Sequence, residues 1–277
     1  MVSLEHLEAL DLLLWLRSTD RAAGLASTNQ STISRRSRSV LERFGVAIRR
    51  GVDGWCDSGD PLLALERRIH QRVRLTGRQP LRLQVPHWTR CGALRQLPRG
   101  WCANPLAAPV CDNPLQLLRA RVIDACLLTP TQIPALADDL LVVDLHRSLI
   151  QLTLLPLPDD HADPRSRLRR LREGAGLRLQ LLPFLPGSCR RRSEEWFRQL
   201  RPGVGATSPS TDAGELGVAF LTPEMRAAQP DPWVVEHAFT PLPYVERLVV
   251  LSEHRSEPAV LQLIEQLERA FAEPLAA

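Results

Sequence analysis

The chain contains no lysine: all 35 basic residues among its 277 are arginine. A nucleic-acid role alone does not exclude lysine, so the bias reads as genome composition and carries no functional weight. No run of about 18 apolar residues occurs, which argues against a membrane-spanning helix. The apolar stretch from Leu7 to Leu16 is punctuated by Glu8 and Asp11, and Met1–His6 supplies neither a basic n-region nor a small-residue cleavage site. The expected location is the cytoplasm. The six cysteines (Cys56, Cys91, Cys102, Cys111, Cys126, Cys189) include no C-x-x-C pair, the usual mark of structural zinc. They read as free thiols packed as small hydrophobes, with Cys189, beside Arg190, Arg191 and Arg192, the best placed for a low-pKa redox thiol. G-x-S-x-G, H-E-x-x-H, P-loop and G-x-G-x-x-G patterns are all missing, and the seven histidines are never spaced as metal pairs. Asp138-Asp139 and Asp159-Asp160 sit beside turns and read as caps. No enzyme, cofactor or metal is expected.

What is present is ordinary in bulk and polarised in place. With 44% hydrophobic and 24% charged residues, the chain affords a sizeable core and about two domains. Between Arg17 and Arg50 there are eight arginines and two acids, a balance of +6, whereas residues 81–277 carry 22 of each and sum to zero. A local basic surface attracts a polyanion such as DNA.

That surface falls on a helix–turn–helix pattern. A first helix is expected from Ser3 to Leu16, with Leu4, Leu7, Leu10 and Leu14 on one buried stripe. Ser18 or Thr19 can cap a short second helix through Arg21–Ala26, and Ser27-Thr28-Asn29 forms the turn. Asn29 or Thr28 caps a third helix, Gln30–Phe44, ended by Gly45. Ile33, Ser37, Val40, Leu41 and Phe44 trace its inward face. Gln30, Ser31, Ser34, Arg35 and Arg38 project elsewhere, polar groups first and arginines after, as on a helix that reads base edges and grips phosphate or guanine. Arg49–Asp57 can form a hairpin around Asp53-Gly54.

The run Arg21-Ala22-Ala23, five residues, then Asn29-Gln30-Ser31-Thr32-Ile33-Ser34-Arg35 and Leu41-Glu42-Arg43-Phe44-Gly45 resembles, without a gap, the LysR-type transcriptional regulator pattern R-A-A-x5-S-Q-P-A-L-S-R-x-I-x-x-L-E-x-x-L-G. The resemblance implies that Gln30, Ser31, Thr32, Ser34, Arg35 and Arg38 face DNA, with Arg49 and Arg50 reaching it from the wing. The chain departs from the family at Ser31, where proline is usual, and after the wing, where Cys56-Asp57-Ser58-Gly59-Asp60 stands in place of L-T-x-x-G.

Asp60-Pro61 opens a linker helix that runs to Thr76. Leu62, Leu65, Ile69 and Val73 form a stripe, while Arg67, Arg68, Arg72 and Arg74 decorate the rest. The stripe either pairs with a second copy or packs on its own domain; the resemblance implies a dimerisation helix. After Gly77-Arg78-Gln79-Pro80, strands and helices alternate. Strands are expected at 81–85, 122–128, 140–144, 149–155, 177–182, 216–221 and 245–252. Helices are expected at 90–97, 114–121, 193–200 and 258–271, the last with Val260, Leu261, Ile264, Leu267, Ala270 and Phe271 inward. This is α/β patterning with mainly parallel pairing.

Leu117–Leu128, Gly214–Pro223 and Thr240–Phe271 are similar to stretches of the LysR-type effector domain. The expected architecture is a winged helix–turn–helix at 1–58, a linker at 59–80, and a two-lobed α/β effector-binding domain at 81–277 resembling periplasmic binding proteins. Lobe I takes 81–157 with 235–277, and lobe II 158–234. Ligands in open α/β sheets sit beyond the carboxyl ends of strands, which nominates His87, Trp88 and Thr89, then Thr129 and Thr131, then Thr222. The threonines read equally as helix caps. The arginines between Pro164 and Arg172 read as a solvated surface. The expected partners are double-stranded DNA, a small-molecule effector, and a second copy in a homodimer or homotetramer. The competing reading is a ligand-binding or dominant-negative interaction protein that no longer reads DNA specifically.

Overall fold

The computed structural model describes residues 2–51, 54–86, 89, 91–105, 113–155, 178–181, 215–227, 233–234 and 241–272. The expected helix at 193–200, the cluster at 164–172 and Cys189 lie outside them. The chain divides into two compact units, Met1–His146 with Val245–Pro274, and Arg147–Tyr244 with Leu275–Ala277.

The first unit begins with helices α1 (Leu4–Leu16), α2 (Thr19–Leu25) and α3 (Gln30–Phe44). Ser18 accepts a hydrogen bond from the Arg21 amide and caps α2; Asn29 accepts from the Thr32 amide and caps α3. Gly45, at φ 63°, closes α3 in the left-handed conformation that glycine adopts without strain. Strands β1 (Ile48–Gly51) and β2 (Gly54–Asp57) pair antiparallel as the wing. Ile33, Ser37 and Val40 are buried on α3, with Leu41 and Phe44 partly so.

Helix α1 differs from its expected stripe. Every residue from Ala9 to Leu16 is buried, as is Leu7, while Leu4 is exposed. A helix apolar on all sides is buried on all sides, and α1 is covered twice. One cover is α2 and α3. The other comes from the α/β part of the same unit, whose Leu115, Leu118, Ile123, Cys126, Leu128 and Val249 belong to one hydrophobic cluster with Leu7, Leu10, Leu14 and Ile33.

That α/β part contains β3 (Leu81–Gln84), α5 (Cys91–Arg95), β4 (Trp101–Ala103), α6 (Pro114–Arg119), β5 (Ala125–Leu128), β6 (Leu140–Leu155), β10 (Leu242–Leu251) and the last helix, α8 (Pro258–Ala272). β3 pairs parallel with β4 and β5, and β10 pairs antiparallel with β5. The strands alternate between two cores, as period-2 geometry requires. Leu81, Leu83, Ala125, Leu127, Leu248 and Val250 join α8. Cys126, Leu128, Val249 and Leu251 join the cluster of α1. On α8, Leu263 is inward in place of the expected Leu261, which is exposed.

In the second unit, β8 (Glu215–Leu221) pairs antiparallel with the later part of β6 and parallel with β7 (Arg178–Leu181), and β9 (Trp233–Val234) pairs antiparallel with β6. α7 (Pro223–Ala227) follows β8. Pairing is thus mixed rather than mainly parallel. The two strands expected at 140–144 and 149–155 are one 16-residue strand, because Leu145-His146-Arg147-Ser148 between them holds neither glycine nor proline to break it and only one weak turn former, Ser148.

Helix α4 (Pro61–Leu75) inverts its expected polarity. Asp60 caps it through the Leu62 and Leu63 amides. Leu62, Leu65 and Ile69 are exposed, whereas Arg67 and Arg74 are buried. These two arginines do not decorate a solvated face, because carboxylates on α1, on the wing and before β5 meet them. Arg67 Nε donates to Asp11 at 2.9 Å and Arg67 Nη1 lies 2.7 Å from Asp57. Arg74 makes a bidentate pair with Asp124 at 2.8 and 2.9 Å. Burial opposes both charges, but the carboxylates outweigh it and hold both guanidinium pKa values above the ordinary one.

Beside this network, Gln71 Oε1 lies 2.9 Å from His254 Nε2, and His254 Nδ1 is buried without a hydrogen-bond partner among the described residues. Nε2 therefore carries the proton and Nδ1 the lone pair. Burial, opposed by Glu253 and reinforced by Arg121, keeps the His254 pKa below its usual 6.5. The unfolded chain then takes up this proton first as pH falls, so stability is full above 6.5 and declines on acidification through it. We expect urea midpoints to fall between about pH 7.5 and 5.5, and the fall to be smaller in His254→Gln. An equal fall in both proteins would remove His254 from the explanation.

Candidate nucleic-acid interface

The residues proposed to face DNA sit on the outer side of α3. Gln30, Ser31, Ser34, Arg35 and Arg38 are exposed and Thr32 is half-buried. The helix presents them because Ile33, Ser37 and Val40 turn its other face inward, and Ser37 Oγ donates back to the Ile33 carbonyl. Several are already oriented. Gln30 Nε2 donates to Asp20 at 3.0 Å, Ser31 Oγ donates to the capping Asn29 at 2.8 Å, and Arg35 reaches Thr32 Oγ1 at 3.4 Å. Arg49 is exposed on β1; the Arg50 side chain lies outside the described residues.

A groove of about 530 Å³ opens along this helix, lined by His6, Thr28, Thr32, Arg35, Arg36 and Ser39. Two guanidiniums, three hydroxyls and an imidazole converge there, and no acid lines it, although Arg36 is paired with Glu5 on its rim. Thr32, Arg36 and Ser39 share a helical face with Arg35, a signal present in the sequence. His6 and Thr28 come from other segments and only folding brings them in.

The residues nominated for an effector fall at strand exits. Thr89 follows β3, and Thr129 with Thr131 follow β5, which is the parallel neighbour of β3, so these exits lie side by side. Thr222 follows β8 in the second unit. His87 and Trp88 lie outside the described residues. Each of these hydroxyls has a protein partner. Thr89 is buried and donates to Glu246 at 2.6 Å, a carboxylate that sequence reasoning did not nominate. Thr129 bonds Thr131 and Gln132 and boxes the turn Pro130–Gln132. Thr222 is buried and accepts from the Met225 amide at the start of α7. The Val85 backbone between β3 and Thr89 is held from both sides by the Asn104 amide.

Among the described residues, no group of three or more His, Cys, Asp or Glu is placed to hold a metal, and no helix is long and apolar enough to cross a membrane. Of the cysteines, Cys102 and Cys126 are free thiols; burial pushes the Cys102 pKa up to about 11, the opposite of a reactive thiolate.

Several solved structures are similar to the chain over its whole length. ArgP from Mycobacterium tuberculosis matches over 98% of each chain at 13% identity, with a TM-score of 0.52. DarR from Vibrio fischeri, solved in complex with DNA and described among LTTR family members, matches over 98% of this chain and 99% of its own at 16% identity, TM-score 0.48. HypT from Salmonella typhimurium, a hypochlorite-specific LysR-type transcriptional regulator, matches over 98% of this chain and 99% of its own at 15% identity, TM-score 0.48. No family model and no curated protein matches the sequence. The chain shares the full-length α/β fold of ArgP, with a winged helix–turn–helix at its N-terminal end.

Proposed function

We propose that this chain is a sequence-specific DNA-binding transcriptional regulator of LysR type and acts as a non-enzymatic switch. The observation that carries the reading is α3: a capped helix with Gln30, Ser31, Ser34, Arg35 and Arg38 turned outward beside a groove without acids. In this reading Gln30 and Arg35 read base edges in the major groove, as Gln does with adenine and Arg with guanine. Arg36, His6, Ser39 and the wing arginines Arg49 and Arg50 hold phosphate. Residues 1–58 read DNA, 59–80 link and dimerise, and 81–277 bind a small-molecule effector, for which His87, Trp88, Thr89, Thr129, Thr131 and Thr222 are the candidate residues. Two copies pair through the exposed stripe of α4, so that two recognition helices address two half-sites.

The test is a fluorescence-anisotropy titration of the full chain at about 150 mM salt against its own upstream region and a shuffled duplex. Binding tighter by ~10³-fold or more to the native fragment is expected. Arg35→Ala is expected to lose about 1–3 kcal/mol on the native duplex and little on the shuffled one, because a base contact adds to specificity alone. Equal weak binding to both duplexes would favour a ligand sensor that has lost its reading of DNA, and unaltered specific affinity in the variant would remove Arg35 from the contact set.

A further inference from the structure

Strand β3 alternates sharply. Leu81 and Leu83 point into the core beneath α8, while Arg82 and Gln84 occupy the opposite positions and are buried as well. What buries them is α1, the central helix of the DNA-reading module. Trp15 Nε1 donates to Gln84 Oε1 at 2.8 Å, and Asp11 Oδ2 lies 3.6 Å from Arg82 Nη1. Asp124 ties β3 to the linker helix: its oxygens accept from the Arg82 amide at 2.9 Å, from Arg74 and from Gln71. Asp11 continues the network to Arg67, and Arg67 to Asp57 at the base of the wing. The same α1 packs against α3, with Leu7, Leu10 and Ile33 in one cluster.

We infer that α1 is an intrasubunit relay: through Trp15–Gln84 and the buried Asp11–Arg67–Arg82–Arg74–Asp124 network it locks the DNA-reading module and the first α/β lobe into one cooperative body. A linker acting alone would leave the two modules free to open separately. Here the buried polar side chains of β3 are shared: Arg82 donates to the Val122 carbonyl of its own lobe at 2.8 Å and faces Asp11 of the module, and Gln84 bonds both Val85 and Trp15. Gln84 is also the last residue of β3, and its Nε2 donates to the Val85 carbonyl at 3.0 Å. A displacement at this strand exit therefore reaches Trp15 through a single side chain, and α3 through the cluster of α1. The regulatory consequence rests on the proposed function, because it assigns an effector to that exit; the mechanical coupling does not.

Hydrogen exchange on the full chain separates the two. In the wild type, amides of α1 and α3 and those of β3 and β5 are expected to exchange through one shared opening, with similar protection. Asp124→Asn, in the lobe, removes a buried charge partner and is expected to accelerate exchange on the order of 100-fold in both sets, including α3, which Asp124 does not touch. Trp15→Phe keeps an aromatic side chain but loses the hydrogen bond and the volume of the five-membered ring; it is expected to loosen both sets together by a smaller factor of about 10. Because that second variant removes no charge partner, it keeps the test decisive if Asp124→Asn does not fold. Acceleration confined to β3 and β5, or confined to α1–α3, would overturn the relay. Failure of the protein to discriminate its upstream duplex would overturn the DNA reading and leave the exchange result standing.

Discussion

Asp11→Ala is expected to destabilise the chain by about 3–5 kcal/mol, far beyond an ordinary surface carboxylate. Asp11 is 1% exposed, sits among the buried apolar residues of the second half of α1, and meets two buried guanidiniums, Arg67 and Arg82. Arg67 keeps Asp57 when Asp11 is lost. Arg82 does not fare as well: burial and the neighbouring Arg74 already lower its pKa, and Asp11 is one of the two carboxylates that most oppose them. Removing one member of a buried pair leaves an uncompensated charge, whereas replacing a pair by apolar groups of like volume is close to neutral. The double variant Asp11→Leu with Arg82→Met, which leaves Arg67 its Asp57, is therefore expected to recover much of the loss. Urea denaturation of the three proteins measures both effects. A cost below about 1 kcal/mol for Asp11→Ala, the level of a solvated pair, would show that water reaches the network.

Leu65→Asp is expected to weaken self-association on the order of 10³-fold, about 4 kcal/mol, while leaving the fold of each subunit intact. Leu65 lies between Leu62 and Ile69 on α4, and the three side chains are 55%, 64% and 47% exposed respectively. Three adjacent apolar side chains left uncovered by their own chain mark an interaction surface. An aspartate at its centre would meet the partner's apolar stripe and its own symmetry mate. Sedimentation velocity over a concentration series reads the change, and thermal unfolding of the dilute protein checks that the subunit is unharmed. A wild-type chain that remains monomeric at micromolar concentration would overturn the assignment of this stripe to a dimer.

The helix–turn–helix was legible residue by residue. Asn29, Gly45, Asp60 and Pro61 set their helix ends because capping and left-handed closure are local chemistry, decided by a side chain and the amides within three residues of it. Ile33, Ser37 and Val40 declared their inward face through helical periodicity. The outward face of α3 then followed by exclusion, and with it the candidate DNA contacts. The groove was half legible: Arg36 and Ser39 follow from the helical face of Arg35, but His6 belongs to α1, and no spacing rule connects them. The effector exits were placed by strand ends, while Glu246, the partner of Thr89, lies 157 residues away along the chain.

Periodicity misled where a segment has two neighbours rather than one. It gave α1 a single buried stripe, yet Leu12, Trp15 and Leu16 are buried too, since the lobe covers the side that a lone helix–turn–helix would leave to solvent. It put all four arginines of α4 in water, because charge on a helix ordinarily seeks solvent, and it was right for Arg68 and Arg72 but not for Arg67 and Arg74. Asp11, Asp57 and Asp124 reverse that preference, and they come from three different elements. The amino-acid sequence by itself determined the local elements, the outward polar face of α3 and the apolar stripe of α4, because each depends on interactions within a few residues. Only the tertiary structure decided that Arg67, Arg74 and Arg82 lie inside and that α1 serves two cores. A buried charge is tolerated only where its counter-charge arrives from elsewhere in the fold, and that meeting is written in no local pattern.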